Sequence, residues 1–345
     1  VFLHGTGSFV RHENDTDNDN PEQISMRSRI VAVLFFCGSI AHPYVGASAL
    51  EFMNIDMCAV SSSFGGAGSA SSGTIEGVYK NPSSITGLPT AFSVYGSYAL
   101  YVLDSLYSGA FAYQFENGIV LAFGTKGIFY NAIEAGIPYT SGFSTNLGAF
   151  DLYAAGAIAL PLGDMLSLPI GFSVGATLGY ALEVLDTTAI HAFVASVGGV
   201  AFFVERKLTA GVTIKNIGIG GTDAETILPP LEILLGAGYT WDVIDALSLK
   251  GLLDIDALSF AQGGIPTVRA GVEVLIMKFA AVRLGCVYAD SQFDITAGAG
   301  AKFSLTAGAP FSVDYSFSTA TWIGMRHTLS MSYSFGDIRG QKTTR

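Results

Sequence analysis

A closed transmembrane β-barrel is the fold class the sequence predicts, and three observations lead to it. The chain of 345 residues is 50% hydrophobic and only 13% charged, an unusually apolar composition for a protein dissolved in water. It contains no run of about 18 or more apolar residues, the length a spanning helix needs. Its apolar residues instead fall on alternate positions in segments of roughly ten, the pattern of strands whose outer face meets lipid. The 17 Lys+Arg against 28 Asp+Glu leave a net charge of -11. Such a surface repels polyanions and excludes nucleic acid as a partner.

The first stretch, residues 1–25, holds Glu13, Asp15, Asp17, Asp19 and Glu22 among asparagines and a proline. It is too polar to bury a core and reads as a disordered leader or an extension of the gene model. Residues 26–49 follow the order of a secretory signal peptide: a basic head at Arg27 and Arg29, an apolar stretch over 30–41, and a small-residue cleavage site at Ala47-Ser48-Ala49. Translation is therefore expected to start at Met26. Cys37 lies inside the apolar stretch behind the bulky Phe36, which argues against lipidation. Cys58 and Cys286 remain, and spacing alone neither requires nor forbids a bridge between them.

From residue 91 to 335 the chain reads as strands. Residues 170–183 carry the pattern best, with Ile170, Phe172, Val174, Leu178 and Leu182 on one face and Gly171, Ser173, Gly175, Thr177 and Glu183 on the other. Corresponding segments lie near 91–101, 106–115, 119–130, 145–160, 168–183, 191–204 and 208–216. A second set lies near 231–241, 247–256, 267–277, 280–289, 293–305, 310–318 and 326–335. That makes about fourteen, an even number as single-chain bacterial barrels require. Asn117-Gly118 suits a tight hairpin turn, whereas 218–230 and 257–266 read as long loops, so one rim should carry short turns and the other longer connections. A soluble β-sandwich also alternates, but its outward face would carry abundant Lys and Glu. Residues 336–345 form a C-terminal tail.

Charge toward lipid costs about 2–4 kcal/mol for Arg or Lys near the bilayer midplane. The ionisable strand residues, Lys126, Glu183, Lys215, Glu232, Asp254 and Asp314 among them, are therefore expected to line the lumen. There they either pair across it or, at Arg269, Arg283 and Lys302, meet a carboxylate headgroup. Gly171-Phe172-Ser173-Val174-Gly175 spells a nucleophile elbow, but it falls in mid-strand without the strand-turn-helix setting that such a serine needs. His191 and His327 stand far apart, and no Cys-x-x-Cys spacing suggests a metal. The expected protein is not an enzyme and has no cofactor.

Residues 50–90 differ in texture. Gly65-Gly66-Ala67-Gly68-Ser69-Ala70 is dense in small residues that let backbones approach closely, and Asn81-Pro82 favours a turn. A plug in the barrel mouth fits this composition; so does a flexible linker. With these two motifs, and with Val313-Asp314-Tyr315-Ser316-Phe317 and Gly324-Met325-Arg326-His327 leading to the terminal aromatic Phe335, the chain resembles the FadL family of outer-membrane long-chain fatty-acid transporters. That group includes PorV-like relatives and the FadL-like paralogues of spirochaetes. The resemblance implies a fourteen-stranded barrel with an N-terminal hatch, in which Gly65, Gly66, Ala67, Gly68, Asn81 and Pro82 belong to the hatch motif. Two departures stand out: Ser83 replaces the alanine of the family's Asn-Pro-Ala turn, and the tail extends past Phe335, the aromatic offered to the barrel assembly machinery.

The expected function is passive uptake of hydrophobic molecules, long-chain fatty acids foremost, across a bacterial outer membrane. The alternative is a non-transporting barrel, either secretion-associated in the PorV manner or an adhesive surface antigen.

Overall fold

A computed structural model describes residues 49–101, 104–130, 133–135, 145–222, 225–258, 266–289, 292–306, 309–319 and 324–338. The expected leader, residues 26–48 of the expected signal peptide and Cys37 with them lie outside these residues, as does most of the tail. Among the described residues no helix is long and apolar enough to cross a membrane.

Fourteen antiparallel strands close into a barrel. They are β1 (Phe92–Tyr101), β2 (Asp104–Gln114), β3 (Val120–Phe129), β4 (Ala149–Leu160), β5 (Gly171–Leu185), β6 (Thr188–Phe203) and β7 (Leu208–Gly221). The second half holds β8 (Glu232–Ile244), β9 (Leu247–Asp256), β10 (Val268–Ile276), β11 (Ala280–Ala289), β12 (Gln292–Thr306), β13 (Ala309–Ser318) and β14 (Arg326–Phe335). Each pairs with the next, and β14 returns to β1, with Phe92 opposite Phe335 and Tyr101 opposite Arg326. Closure leaves no unpaired edge, which is what a sheet immersed in lipid requires.

Both ends of the barrel lie at one rim, where Phe92 meets Phe335. This terminal rim carries the connections 115–119, 161–170, 204–207, 245–246, 277–279 and 307–308. The far rim carries 130–148, 222–231 and 257–267 besides tighter turns. The expected asymmetry between rims is present, although 161–170, which contains a short helix, exceeds a tight turn.

Alternation decides which face each residue takes. On β5, Leu178 is 71% exposed while its neighbour Thr177 is 3% exposed, so the large apolar side chain points out and the hydroxyl points in. Aromatic rings gather outside near both rims. At the terminal rim Phe92 stacks on Phe335 across the closing seam, with centroids 5.4 Å apart. Near the far rim Tyr315 lies 2.7 Å from His327, and Tyr180 bonds His191. The two histidines thus belong to outward aromatic clusters.

Two details differ from the expected strands. The segment expected from 145 enters the barrel only at Ala149, because residues 145–147 pair with 133–135 in a hairpin of their own. The seventh strand runs to Gly221 instead of ending at 216, so 218–221 is strand and not loop. The cause is a β-bulge: pairing passes from Ala195↔Ile217 to Val197↔Ile214, placing Lys215 and Asn216 together opposite Ser196, with Asn216 at φ 60. A bulge shifts the side-chain period by one, so alternation that fades at 216 resumes beyond it with Ile217 and Ile219 outward.

Candidate functional site

The lumen is occupied by the chain's own residues 49–90. This inner segment contains one short helix, α1 (Ala59–Ser63), and 3-10 turns at Glu51–Asn54, Ile75–Val78 and Pro82–Ile85. It touches inward residues around the whole ring, from β1 and β2 beside Ile75–Val78 to β12, β13 and β14 beside α1. No hydrophobic period organises it. Side-chain bonds to the wall do. Leu50 N–H donates to Glu183 Oε2 at 2.7 Å, Ala59 N–H donates to Ser330 Oγ at 2.9 Å, and Lys126 Nζ donates to the carbonyl of Met53.

The glycine-rich motif forms an arch. Gly65 and Gly66 adopt φ 72 and 85, a left-handed conformation that a side chain would strain. Gly65 N–H donates to Thr296 Oγ1 at 3.0 Å, and Ala67 is fully buried against Phe64 and Leu252. Gly68 N–H, Ser69 N–H and Ser69 Oγ all donate to Asp254 Oδ2, at 2.9, 2.9 and 2.8 Å. The Asn81-Pro82 turn meets this arch directly, since Asn81 Nδ2 donates to the Ser69 carbonyl at 2.6 Å and to the Gly199 carbonyl of β6 at 3.3 Å. Asn81 Oδ1 accepts from Ser83 N–H at 3.1 Å and from Ser83 Oγ at 2.7 Å. Pro82 opens the turn with Asn81 as its cap. Ser83 therefore has a use of its own: its hydroxyl fixes the amide that ties the turn to the arch.

The wall is hollowed to receive the segment. A Cβ on Gly211 would fall 2.1 Å from the Ser69 carbonyl oxygen, one on Gly198 2.1 Å from Asn81 Oδ1, and one on Gly175 2.4 Å from the Pro82 carbonyl carbon. Gly271 and Gly285 are filled in the same way by Phe64 and Gly65. These inward glycines are the functional residues that motif reading passed over. Their signal was present in the alternation, which put small residues on one face without saying what they accommodate. Ser173, the centre of the elbow-like motif, lies mid-strand on this face and accepts from Thr86 Oγ1 at 3.0 Å.

Of the three lumen cations singled out, two are paired. Arg269 Nη2 donates to Glu232 Oε1, and Lys215 Nζ donates to Glu232 Oε2, both at 2.6 Å. Arg283 bridges Glu273 and Asp314 at 2.6 and 2.7 Å. Lys302 lines a cavity near the terminal rim. Further charges lie where the segment meets the wall. Lys80 pairs with Asp56 at 3.0 Å, and Arg326 Nη2 donates to Ser62 Oγ at 2.9 Å. Burial disfavours the ionised Asp56, but the positive charges of Lys80 and Arg326 outweigh it and hold the carboxyl below its ordinary range. Cys58 and Cys286 are both free thiols.

The segment divides the lumen. A cavity of about 280 Å³ lies toward the terminal rim, bordered by Val60, Glu76, Arg283, Lys302 and Asp314. Another of about 250 Å³ lies toward the far rim, bordered by Ser62, Tyr101, Leu106, Arg269 and Arg326. Val60 faces one chamber and Ser62 the other, so a single turn of α1 is part of the partition.

Solved structures with a similar fold include a TodX deltaS2S3 variant, a monoaromatic hydrocarbon channel. It aligns with a TM-score of 0.50 at 10% identity, over 80% of this chain and 97% of its own. The Ralstonia pickettii toluene transporter TbuX and a Pseudomonas aeruginosa FadL homologue each align with a TM-score of 0.48 at 11% identity, over 80% and 79% of this chain and 96% and 97% of theirs. At such identity the likeness is one of fold. No protein-family model matches the sequence, and no curated protein does.

Proposed function

We propose that the protein is a passive outer-membrane channel for hydrophobic molecules, with long-chain fatty acids as cargo and residues 50–90 as its hatch. One observation carries this reading: a segment held to the wall by hydrogen bonds separates two chambers of one lumen, and such contacts open without covalent chemistry. The far-rim chamber suits an amphiphile. Ile55, Tyr101, Leu106, Leu234 and Val287 offer apolar surface there, and Arg269 Nη1 has no hydrogen-bond partner among the described residues, leaving a donor for a carboxylate. Each methylene leaving water contributes about 0.8 kcal/mol. A fold in common with a monoaromatic hydrocarbon channel supports a hydrophobic cargo.

In this reading the terminal rim faces the periplasm and the far rim faces the exterior, following the short-turn rule. Export through the signal at 26–49 and insertion by the barrel assembly machinery precede transport. The test is uptake of labelled oleate into proteoliposomes holding the purified barrel. Uptake no faster than into protein-free vesicles rejects the channel.

The hairpin of 133–135 with 145–147, which makes no pairing with the barrel sheet, favours a second reading as a secretion-associated or adhesive barrel. Recovery of a stoichiometric protein partner without any lipid uptake would select it.

A further inference from the structure

Glu76 stands apart from the other buried charges. It is 7% exposed, sits in the 3-10 turn Ile75–Val78 of the inner segment, and borders the terminal-rim chamber. Among the described residues its carboxyl makes no ion pair and no direct hydrogen bond.

The cations near it are engaged elsewhere. Arg283 is held between Glu273 and Asp314. Lys80 is held by Asp56 and by the Gly66 carbonyl. Lys250 lies over the ring of Phe64 at 5.9 Å. Lys302 is exposed at the chamber wall, where Glu273 also lies. From the segment itself Glu76 interacts electrostatically with Asp56 and the thiol of Cys58, and from the wall Asp314 and the phenol of Tyr95 border the same chamber. An ionised Glu76 would therefore add a negative charge near those of Asp314 and Asp56, with Arg283 and Lys80 already paired elsewhere and neither Lys250 nor Lys302 bonded to it.

We propose that Glu76 is a proton-operated latch: the inner segment docks with this carboxyl protonated, and loss of the proton releases the segment from the wall. The proposal rests on reading residues 50–90 as a movable hatch. Burial first, then the charges of Asp314 and Asp56, raise the Glu76 carboxyl from 4.5 to about 8 in the docked state. A group raised on docking favours the docked state fully below its free value and loses that contribution as pH climbs to the docked one. Between 4.5 and about 8 the released fraction rises by up to about tenfold per pH unit, and it levels off above.

Cys58, 1% exposed within the segment, supplies the readout. The full chain with Cys37→Ser and Cys286→Ser is reconstituted in vesicles and labelled with a membrane-impermeant maleimide from pH 5 to 9. The same background carrying Glu76→Gln corrects for the thiol's own titration, and Glu76→Asp keeps a titrating group. Gly211→Val, whose side chain collides with Ser69, serves as the opened reference. The latch predicts a labelling rate, relative to Glu76→Gln, that climbs at least tenfold from pH 5 to 8 and then flattens, with Glu76→Asp retaining the climb. Equal profiles for the wild type and Glu76→Gln, with the Gly211→Val reference labelled throughout, overturn the latch alone. Protection of Cys58 at every pH in all four proteins overturns the latch and the hatch together.

Discussion

The wall and the inner segment are built on opposite principles. Each wall strand is held by a ladder of backbone bonds to two neighbours, and its side chains need only be apolar outside and small or paired inside. The inner segment has almost no ladder. Its position is specified by particular side chains, Asp254 under the arch, Asn81 between arch and wall, and Glu183 and Lys126 near its start, and by glycines that leave room for it. The lesson is that a lipid-facing sheet tolerates many sequences, whereas an internal partition depends on a few residues and on the absence of side chains opposite them.

The contrast breaks most sharply at the glycines. Gly211→Val drives a branched side chain into the Ser69 carbonyl, and overpacking of this kind costs about 1–3 kcal/mol, here at the upper end because the obstacle is backbone. The segment should leave its seat while the barrel still resists detergent unfolding. Ion conductance in planar bilayers is expected to rise steeply, with the heat-modifiable band unchanged on gels. On the other side of the comparison, Leu178→Arg places a charge on the lipid face at about 2–4 kcal/mol. It should lower the urea midpoint of the barrel in vesicles without opening it.

Asp254→Ala removes the acceptor of three bonds and leaves two backbone donors buried, at about 3 kcal/mol. It is expected to raise conductance less than Gly211→Val, and faster limited proteolysis near Gly68 would confirm where the segment loosens. The smallest effect should be Ser83→Ala, which deletes one hydroxyl bond to Asn81, at about 1 kcal/mol. A slight increase in proteolysis with no measurable change in conductance is the expected outcome.

How much could be read beforehand follows the same division. Alternation located every barrel strand because lipid outside and packing inside impose a period of two along the whole wall. It failed locally where that constraint lapses: at the Asn216 bulge, where two residues face inward in succession, and at 145–147, where a small hairpin mimics a strand start. The glycine arch and Asn81-Pro82 were visible as motifs, but their meeting at the Ser69 carbonyl is a contact between positions 12 apart in sequence that no periodicity encodes. The pairing of Arg269 with Glu232 required register, since Glu232 on β8 and Arg269 on β10 become neighbours only across β9. Glu76 gave no signal because a lone carboxylate in an aperiodic stretch looks like any solvated residue.

Residues 49–90 stand between the two chambers of the lumen. Single-channel recording of the full chain beside a variant lacking residues 50–88 tests it most directly. A quiet wild type and a steadily conducting deletion at the same salt are the predicted pair; equal conductance from the two would contradict the account.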